Sequence, residues 1–375
     1  MIYLFIEDLK PIVLLSRPFY TTGIMDAQSL PPFLMLYNVA PKFSKDPKYK
    51  IFSPLSIGYA LSLLHIGAAD STHQELTKFF DGQVNSDDLI IIFTLLSSMM
   101  SNFLLLQKGF QFEQKYLDCT SSVASIREMD FTDSKSTAII NDIIEQQTKG
   151  MLKNVLSEID PATIFMLMNI IYFKMNWMHP FKKDRTQKKN FRINVNQVQQ
   201  VDMMEQTDRF KYFHDETNKN KFLELSYEGD QFSMIVMLPD EFIHHPVFDM
   251  TCLSSTALFG AVFPPEVHVQ LPKFTSEVNI DMTGDLRTHG LISMFNNPTD
   301  FIKIGKNITV SNVIHAAKII VDEEGTEAAA TTIVMLAKCC GMPPPPIEFN
   351  VNRPFAYAIV HKPSRMVLFM GTFSG

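Results

Sequence analysis

Cysteine is scarce in this chain, which has four among its 375 residues. Cys119 and Cys252 are isolated, whereas Cys339 and Cys340 are adjacent. Small secreted domains that depend on disulfides carry cysteine at a much higher density, so that class of protein is excluded. The adjacent pair also lacks the spacing of a zinc site or of a redox CxxC motif. Cysteine usage therefore favours a reducing, cytoplasmic compartment, with secretion as the alternative.

Long apolar runs and an excess of positive charge are also absent. No segment reaches about 18 apolar residues without a charge, which argues against a transmembrane helix. The formal net charge of −7 argues against a general attraction to nucleic acid or to an anionic membrane. Glu7, Asp8 and Lys10 interrupt the apolar N-terminus where a signal peptide would need its core. We therefore expect neither a nucleic-acid nor a membrane partner.

The organisation of the chain is that of one large domain. Hydrophobic residues make up 46% of it, no repeat is found, and no Gly/Ser linker divides it. We predict a single domain over residues 25–375. Met25 is an alternative start, and residues 1–24 are predicted to be an N-terminal extension that is disordered or lies upstream of the native start.

The hydrophobic periodicity predicts helices in the first 160 residues and strands in the rest. Helical spacing is clear at Leu55–Leu64 and at Ser136–Leu156, where Gly150 is a candidate stop. Phe165–Phe173 is a continuous apolar run, typical of a strand that is buried on both faces. Further strands are predicted at Phe232–Pro239, Val267–Phe274, His315–Glu324, Phe355–Val360 and Met366–Phe373. This order indicates an α+β fold with large, mostly antiparallel sheets.

The most informative segment is 323–346, which reads EEGTEAAATTIVMLAKCCGMPPPP. Gly325 and the four prolines bracket it like a loop, because proline is excluded from a central strand. With a period of two, however, one face of the segment carries no charge, and Glu327 opens the opposite face. The uncharged face consists of Thr326, Ala328, Ala330, Thr332, Val334 and Leu336. The segment is thus compatible with both a loop and a strand, although an Ala-rich linker or a helix start fits the same residues.

The chain resembles the serpin family over roughly residues 50–375. EEGTEAAATT, at residues 323–332, resembles the hinge of an inhibitory serpin. Matches in the same order and spacing include IFSPLSIGYALSLLHIGAADSTHQEL (51–76), INDIIEQQTKGMLKNVL (140–156), NIIYFKMNWMHPF (169–181), LSYEGDQFSMIVMLPDE (225–241), LPKF (271–274), NRPFAYAI (352–359) and VLFMGTF (367–373). The resemblance implies the serpin fold, in which helices pack on three β-sheets and a reactive-centre loop, here about 323–346, is exposed.

The resemblance also implies a mechanism. A serpin of this kind is a suicide substrate: the protease cleaves the exposed loop and is trapped as an acyl-enzyme when the hinge inserts into the central sheet. The hinge residues would be Glu323, Gly325, Thr326, Glu327, Ala328, Ala329 and Ala330. The reactive bond would be Lys338–Cys339, with Cys339–Cys340 as the second choice. Lys338 suits the acidic primary pocket of a trypsin-like serine protease, whereas Cys339 suits a small or apolar pocket or a cysteine protease.

Two further groups of residues correspond to functional regions of the family. Ser53, Ser56, Asn169 and His315 correspond to the shutter beneath the central sheet, where strands must part. Trp177, Lys273 and Glu323 correspond to the breach, the first point of insertion. We therefore expect a buried polar network in the first group and an ion pair between Lys273 and Glu323 in the second.

Other functions fit the sequence less well. A non-inhibitory carrier or chaperone of the same family should tolerate charge at the buried positions of the hinge, and this hinge has none there. No GxSxG motif or other catalytic constellation points to an enzyme. His244 and His245 lack a second pair of ligands, so no metal is expected, and no cofactor is implied. The expected partner is a protease, and the expected state is a monomer.

Overall fold

Three β-sheets and the helices packed on them form the part of the chain that the computed structural model describes, which is residues 38–82, 100–255, 258, 263–325 and 344–375. After a helical segment at 38–43, the α-helices are α1 (Pro54–Gly67), α2 (Asp70–Phe79), α3 (Gln114–Thr120), α4 (Ser136–Gln147), α5 (Thr283–Thr288) and α6 (Ser293–Asn296). Short 3-10 helices lie at Lys183–Arg185 and Met250–Ser254.

The first two predicted helices are present, with different lengths. α1 extends beyond the predicted Leu55–Leu64 because Ser53 caps it and Pro54 occupies its first turn, where no N–H is required. α4 ends at Gln147, well before the predicted Leu156. Lys149 and Gly150 both adopt positive φ, which a continuing right-handed helix excludes.

Fifteen strands are described. They are β1 (Ile51–Phe52), β2 (Met100–Gln107), β3 (Ser125–Met129), β4 (Phe165–Phe173), β5 (Gln187–Asn194), β6 (Gln197–Arg209), β7 (Lys211–Asp215), β8 (Asn220–Ser226), β9 (Phe232–Pro239), β10 (Glu266–Pro272), β11 (Phe274–Asp281), β12 (Val310–Val321), β13 (Ile347–Asn350), β14 (Phe355–His361) and β15 (Met366–Phe373). The strands β1, β2, β3, β5, β7 and β13 were not predicted, because their residues show neither a long apolar run nor a clear alternation of period two.

The strands form three sheets. The central sheet has the order β11-β12-β4-β2-β3, a six-stranded sheet has the order β1-β15-β14-β9-β8-β7, and a four-stranded sheet has the order β13-β10-β6-β5. In the central sheet β12 and β4 are neighbours and run parallel, whereas β11 is antiparallel to β12 and β2 is antiparallel to β4. All nine residues of β4 are buried, as its continuous apolar run predicts.

Two predicted strands end differently in the structure. Val267–Phe274 is not one strand: the chain leaves β10 at Pro272 and enters β11 of the central sheet at Phe274, so that Lys273 stands alone at the corner between two sheets. The strand predicted at His315–Glu324 begins earlier, at Val310, and ends at Val321. It stops there because the chain turns at 323–325, where Gly325 has a φ of +82°.

Each face of the central sheet is buried against a different apolar layer. The face that includes Leu104, Leu167 and Ile319 packs into the main core. The opposite face includes Phe103, Met168 and Ala316, which form a separate cluster with Ile140 and Ile144 of α4. Any strand added to this sheet would therefore have α4 above it and the main core below it. None of the helices within the described ranges is long and apolar enough to span a bilayer.

Candidate functional site

The predicted site residues divide into those that the structure describes and those that it does not. Glu323 and Gly325 lie in the turn that follows β12 and are described. The remaining hinge and reactive-bond residues lie outside the described residues; they are Thr326, Glu327, Ala328, Ala329, Ala330, Lys338, Cys339 and Cys340. Their roles therefore remain predictions. The residues assigned to the shutter and the breach form two clusters along β12.

The first cluster, called here the buried polar cluster, joins three neighbouring strands to the start of α1. His315 of β12 lies directly opposite Asn169 of β4, and its Nδ1 is 2.8 Å from Asn169 Oδ1. The Ser56 hydroxyl donates to the same oxygen at 2.7 Å. The Ser53 backbone N–H donates to His315 Nε2 at 3.3 Å, and the Ser53 hydroxyl accepts from the Ser56 N–H at 3.0 Å. The four residues predicted to meet beneath the sheet therefore do so.

His315 is uncharged in this cluster. Its Nδ1 faces an acceptor oxygen and so carries the proton, while its Nε2 accepts from the Ser53 backbone. The side chain is fully buried, and burial lowers the pKa of His315 to about 3. Both ring nitrogens are thus occupied in the neutral form.

Asn102 is a member of the cluster that the sequence did not reveal. It lies on β2 opposite Asn169, whose Nδ2 donates to Asn102 Oδ1 at 2.7 Å. Asn102 Nδ2 has no hydrogen-bond partner among the described residues. The sequence shows only a single Asn beside an apolar run. This Asn indicates a polar cluster only when Met100–Gln107 is known to be the neighbour of β4. The cluster thus spans β12, β4 and β2 in one lateral row.

The second cluster, called here the strand-end cluster, fastens the end of β12 to the segment that follows β4. The Trp177 indole donates to the Asp322 carbonyl at 2.9 Å, and the Trp177 backbone N–H donates to the Glu324 carbonyl at 3.0 Å. The Phe181 N–H donates to the Glu323 carbonyl at 2.8 Å. The Trp177 ring stacks on Tyr227, with centroids 4.4 Å apart. The line along which β12 pairs with β4 is called here the seam. These contacts hold its end closed.

The carboxylate of Glu323 is held by two partners. Lys273 Nζ lies 2.7 Å from Glu323 Oε2, and the Thr186 hydroxyl donates to Oε1 at 2.7 Å. Lys273 reaches it because Phe274 pairs with Val321, which places the corner between the two sheets beside the residues that follow β12. The Glu323 side chain is only 5% exposed and that of Lys273 is 37% exposed, so this is not a solvated surface pair.

Burial and hydrogen bonding act in opposite directions on Glu323. Burial raises the pKa of the carboxyl, but the hydrogen bonds from Lys273 and Thr186 together outweigh it, and the pKa of Glu323 lies below its usual value. Glu324, the next residue, is paired at 2.5 Å with Lys183, which is 68% exposed. Lys273 and Glu323 were predicted from the sequence, whereas Thr186 and Lys183 were not, because both lie in a turn whose position only the fold determines.

Gly325 is the last residue described at the start of the predicted loop, and its backbone requires glycine. Its φ of +82° lies in the left-handed region, and a Cβ at this position would lie 2.3 Å from the Trp177 backbone nitrogen. The turn at 323–325 therefore packs against the segment that follows β4.

Comparison with known proteins agrees with this geometry. The family model described as Serpin (serine protease inhibitor) matches residues 37–375. The leukocyte elastase inhibitor of Equus caballus is 32% identical, with 88% of this chain and 94% of that protein covered. An uncharacterized serpin-like protein of Acanthamoeba polyphaga mimivirus is also 32% identical, with 89% and 86% covered.

Solved structures extend the comparison to the fold. Native protease nexin-1 with heparin has a TM-score of 0.79 at 26% identity, covering 92% of this chain and 99% of that one. Uncleaved ovalbumin has the same TM-score at 22% identity, with the same coverage, and supports the fold alone. The three sheets, the matched residues 37–375 and these similarities show that the chain belongs to the serpin family and has the serpin fold.

Proposed function

We propose that this protein is a suicide-substrate protease inhibitor, in which cleavage of the loop after Gly325 allows residues 324–337 to enter the central sheet between β12 and β4. The observation that carries the proposal is the parallel pairing of β12 with β4. If the residues after the turn at 323–325 fold back along the sheet, the strand that they form would be antiparallel to both neighbours. One parallel pair would then be replaced by two antiparallel pairs, which are more stable per residue.

The length of the loop supports full insertion. β12 pairs with β4 from Val310 to Ile319. Ten residues at about 3.3 Å each give a seam of about 33 Å. The fourteen residues from Glu324 to Ala337 span about 46 Å when extended, so they exceed the seam and would carry a tethered protease to the opposite end of the sheet.

The two clusters have roles that follow from this proposal. The strand-end cluster lies where insertion would begin, and the hydrogen bonds from Trp177 and Phe181 to residues 323–324 would keep the end of the seam closed. The buried polar cluster bonds His315 of β12 to Asn169 of β4, so it would have to rearrange as the strands part. The inhibitory state would then be held kinetically rather than being the most stable arrangement of the chain.

The target is proposed from the loop sequence. Lys338 as the residue before the cut favours a trypsin-like serine protease, whereas a cut after Cys339 would favour a small-pocket or cysteine protease. The uncharged face that begins at Thr326 favours inhibition over the carrier or chaperone function, since an unpaired charge buried in the sheet would cost several kcal/mol. Leukocyte elastase inhibitor, one of the relatives, is by its name an inhibitor of a protease.

The remaining properties are also proposals. We propose a cytoplasmic monomer with no cofactor that acts on a protease and is not itself an enzyme. Cys119 is exposed, Cys252 is buried, and both thiols are free, which supports a reducing compartment. Residues 25–375 are proposed to form one domain.

The decisive variant is Thr326→Arg, with Glu327→Arg as its matched control. We expect wild type and Glu327→Arg to form a denaturant-resistant complex with trypsin at close to one inhibitor per protease. Thr326→Arg should instead be cleaved as a substrate, with at least a tenfold loss of complex, because its charge would enter the sheet on the buried face. Gel electrophoresis would measure the complex, and mass spectrometry of the released peptide would locate the cut after Lys338 or Cys339.

Two results would contradict the proposal. A Thr326→Arg protein that still traps trypsin at full stoichiometry would exclude insertion of this hinge. Clean cleavage of wild type by trypsin-like, chymotrypsin-like and papain-like proteases, without any complex, would instead favour the carrier function.

A further inference from the structure

A small cavity of about 190 Å³ lies on the other side of the segment that contains Trp177. Its walls come from that segment, from the corner between β6 and β7, and from the end of β8, and they include Trp177, Phe181, Arg209, Lys211, Glu224 and Lys362. Drug-sized ligands occupy pockets of about 300–1,000 Å³, so this cavity is small by comparison. Its volume suits a small molecule.

The charges around the cavity leave one cation without a counter-ion. Glu224, whose side chain is 1% exposed, lies 3.0 Å from Lys362 Nζ and 3.4 Å from Lys211 Nζ. Lys362 is shared with Asp230. Arg209 donates to the Pro264 carbonyl at 3.2 Å and forms no ion pair within the described part of the chain. Three cations thus face two carboxylates, because the remaining titratable group, His179, has its own partner in Asp208 at 3.1 Å.

The rest of the wall is aromatic. Phe181 and Phe210 are almost fully buried, as is Trp177, which is stacked on Tyr227. A wall that combines a net positive charge with aromatic rings suits an anion that carries a planar apolar body. We infer that this cavity is a binding site for a small organic carboxylate about the size of benzoate. The carboxylate would face Arg209 and Lys211, and the apolar body would face the aromatic wall.

The cavity shares a wall with the strand-end cluster. The backbone N–H groups of Trp177 and Phe181 donate to the carbonyls of Glu324 and Glu323, and the side chains of the same two residues line the cavity. An occupant that ties this segment to β7 and β8 would favour the arrangement in which the end of β12 is closed, since a ligand shifts an equilibrium toward the state that it binds better. This consequence rests on the proposed function, whereas binding itself does not.

The experiment uses the fact that Trp177 is the only tryptophan in the chain. Benzoate titrated into the uncleaved protein should produce a saturable change in tryptophan fluorescence. Arg209→Gln should weaken binding by about tenfold, equivalent to about 1.4 kcal/mol. Arg192→Gln is the matched control, because Arg192 is exposed on β5 and does not line this cavity. Benzylamine, which has a similar size and the opposite charge, should give no saturable response.

Several outcomes would overturn the inference. A benzoate response that is linear, or that is the same in wild type and in an Arg209→Gln protein with an unchanged melting temperature, would exclude the site. Saturable binding of benzylamine with equal affinity would exclude selection for an anion.

The link to loop insertion has a separate readout. Saturating benzoate should at least double the number of inhibitor molecules consumed per trypsin inactivated, since slower insertion allows more turnover as a substrate. If the number of inhibitor molecules consumed per trypsin is unchanged, the link between benzoate binding and loop insertion is refuted. The fluorescence titration then still tests whether benzoate binds in the cavity. Failure to form a complex without benzoate with trypsin-like, chymotrypsin-like and papain-like proteases would refute the proposed function and leave the fluorescence result intact.

Discussion

The two clusters along β12 both hold this strand beside β4 and the segment that follows it, but they do so with different chemistry. Around His315 every group is neutral and the side chains are almost completely buried, whereas around Glu323 the groups are charged and Lys273 remains more than a third exposed. A buried neutral network is strong only if each donor and acceptor has a partner, so removing its central member is costly. An ion pair near solvent contributes less to stability and more to position. We therefore expect stability to be sensitive to the removal of a side chain in the middle of the seam and to a change of charge at its end.

The largest expected effect is the loss of Asn169, which has three partners in the buried polar cluster. Asn169→Ala leaves His315, Ser56 and Asn102 without it, and each buried group left unpaired costs about 1–3 kcal/mol. We expect a loss of at least about 3 kcal/mol in the free energy of unfolding, measured by urea denaturation. Asn190→Ala, at an exposed position on β5, should change it by no more than about 0.5 kcal/mol. Equal effects of the two substitutions would mean that the cluster does not hold the seam.

Lys273→Met should have an intermediate effect. It leaves the Glu323 carboxylate buried with Thr186 as its remaining partner. Breaking a fully buried pair costs about 3–5 kcal/mol, and the partial exposure of Lys273 reduces our expectation to about 2 kcal/mol. Lys188→Met breaks an exposed pair with Asp202 and should cost less than about 1 kcal/mol. If the two substitutions cost the same in urea denaturation, the pair at the end of β12 is an ordinary surface pair.

The smallest expected effect is a difference between the two clusters in how the free energy of unfolding depends on pH. Folding lowers the pKa of both His315 and Glu323, so the unfolded chain binds more protons in acid. In both cases the free energy of unfolding therefore decreases as the pH decreases. For His315 the loss begins near its unfolded value of 6.5 and continues toward about 3, whereas for Glu323 it begins only near 4.5. His315→Gln should therefore flatten the dependence between pH 6.5 and 5 by up to about 1.4 kcal/mol per pH unit. The free energy of unfolding of both proteins across this range measures the difference. Parallel curves for wild type and His315→Gln would show that His315 does not enter the fold as a neutral ring.

Individual elements show how far the sequence could be interpreted. The strands β4, β9 and β15 were predicted with their observed bounds, because each is a mainly apolar run of ordinary strand length. The run around Lys273 was predicted as one strand, since a change of sheet leaves no mark in the periodicity. Asn102 was missed because its importance depends on which strand lies beside β4, and pairing between distant strands is not encoded in any local pattern.

The sequence by itself determined the family and the character of the hinge. Ordered motifs from residue 51 to residue 373 and the uncharged face that begins at Thr326 are properties of residue order alone. Only the tertiary structure decided that β12 lies parallel to β4, that Lys273 stands at a corner within reach of Glu323, and that Gly325 packs against Trp177. These facts depend on contacts between residues that are far apart in the chain, and such contacts form only when the sheets and the core assemble together.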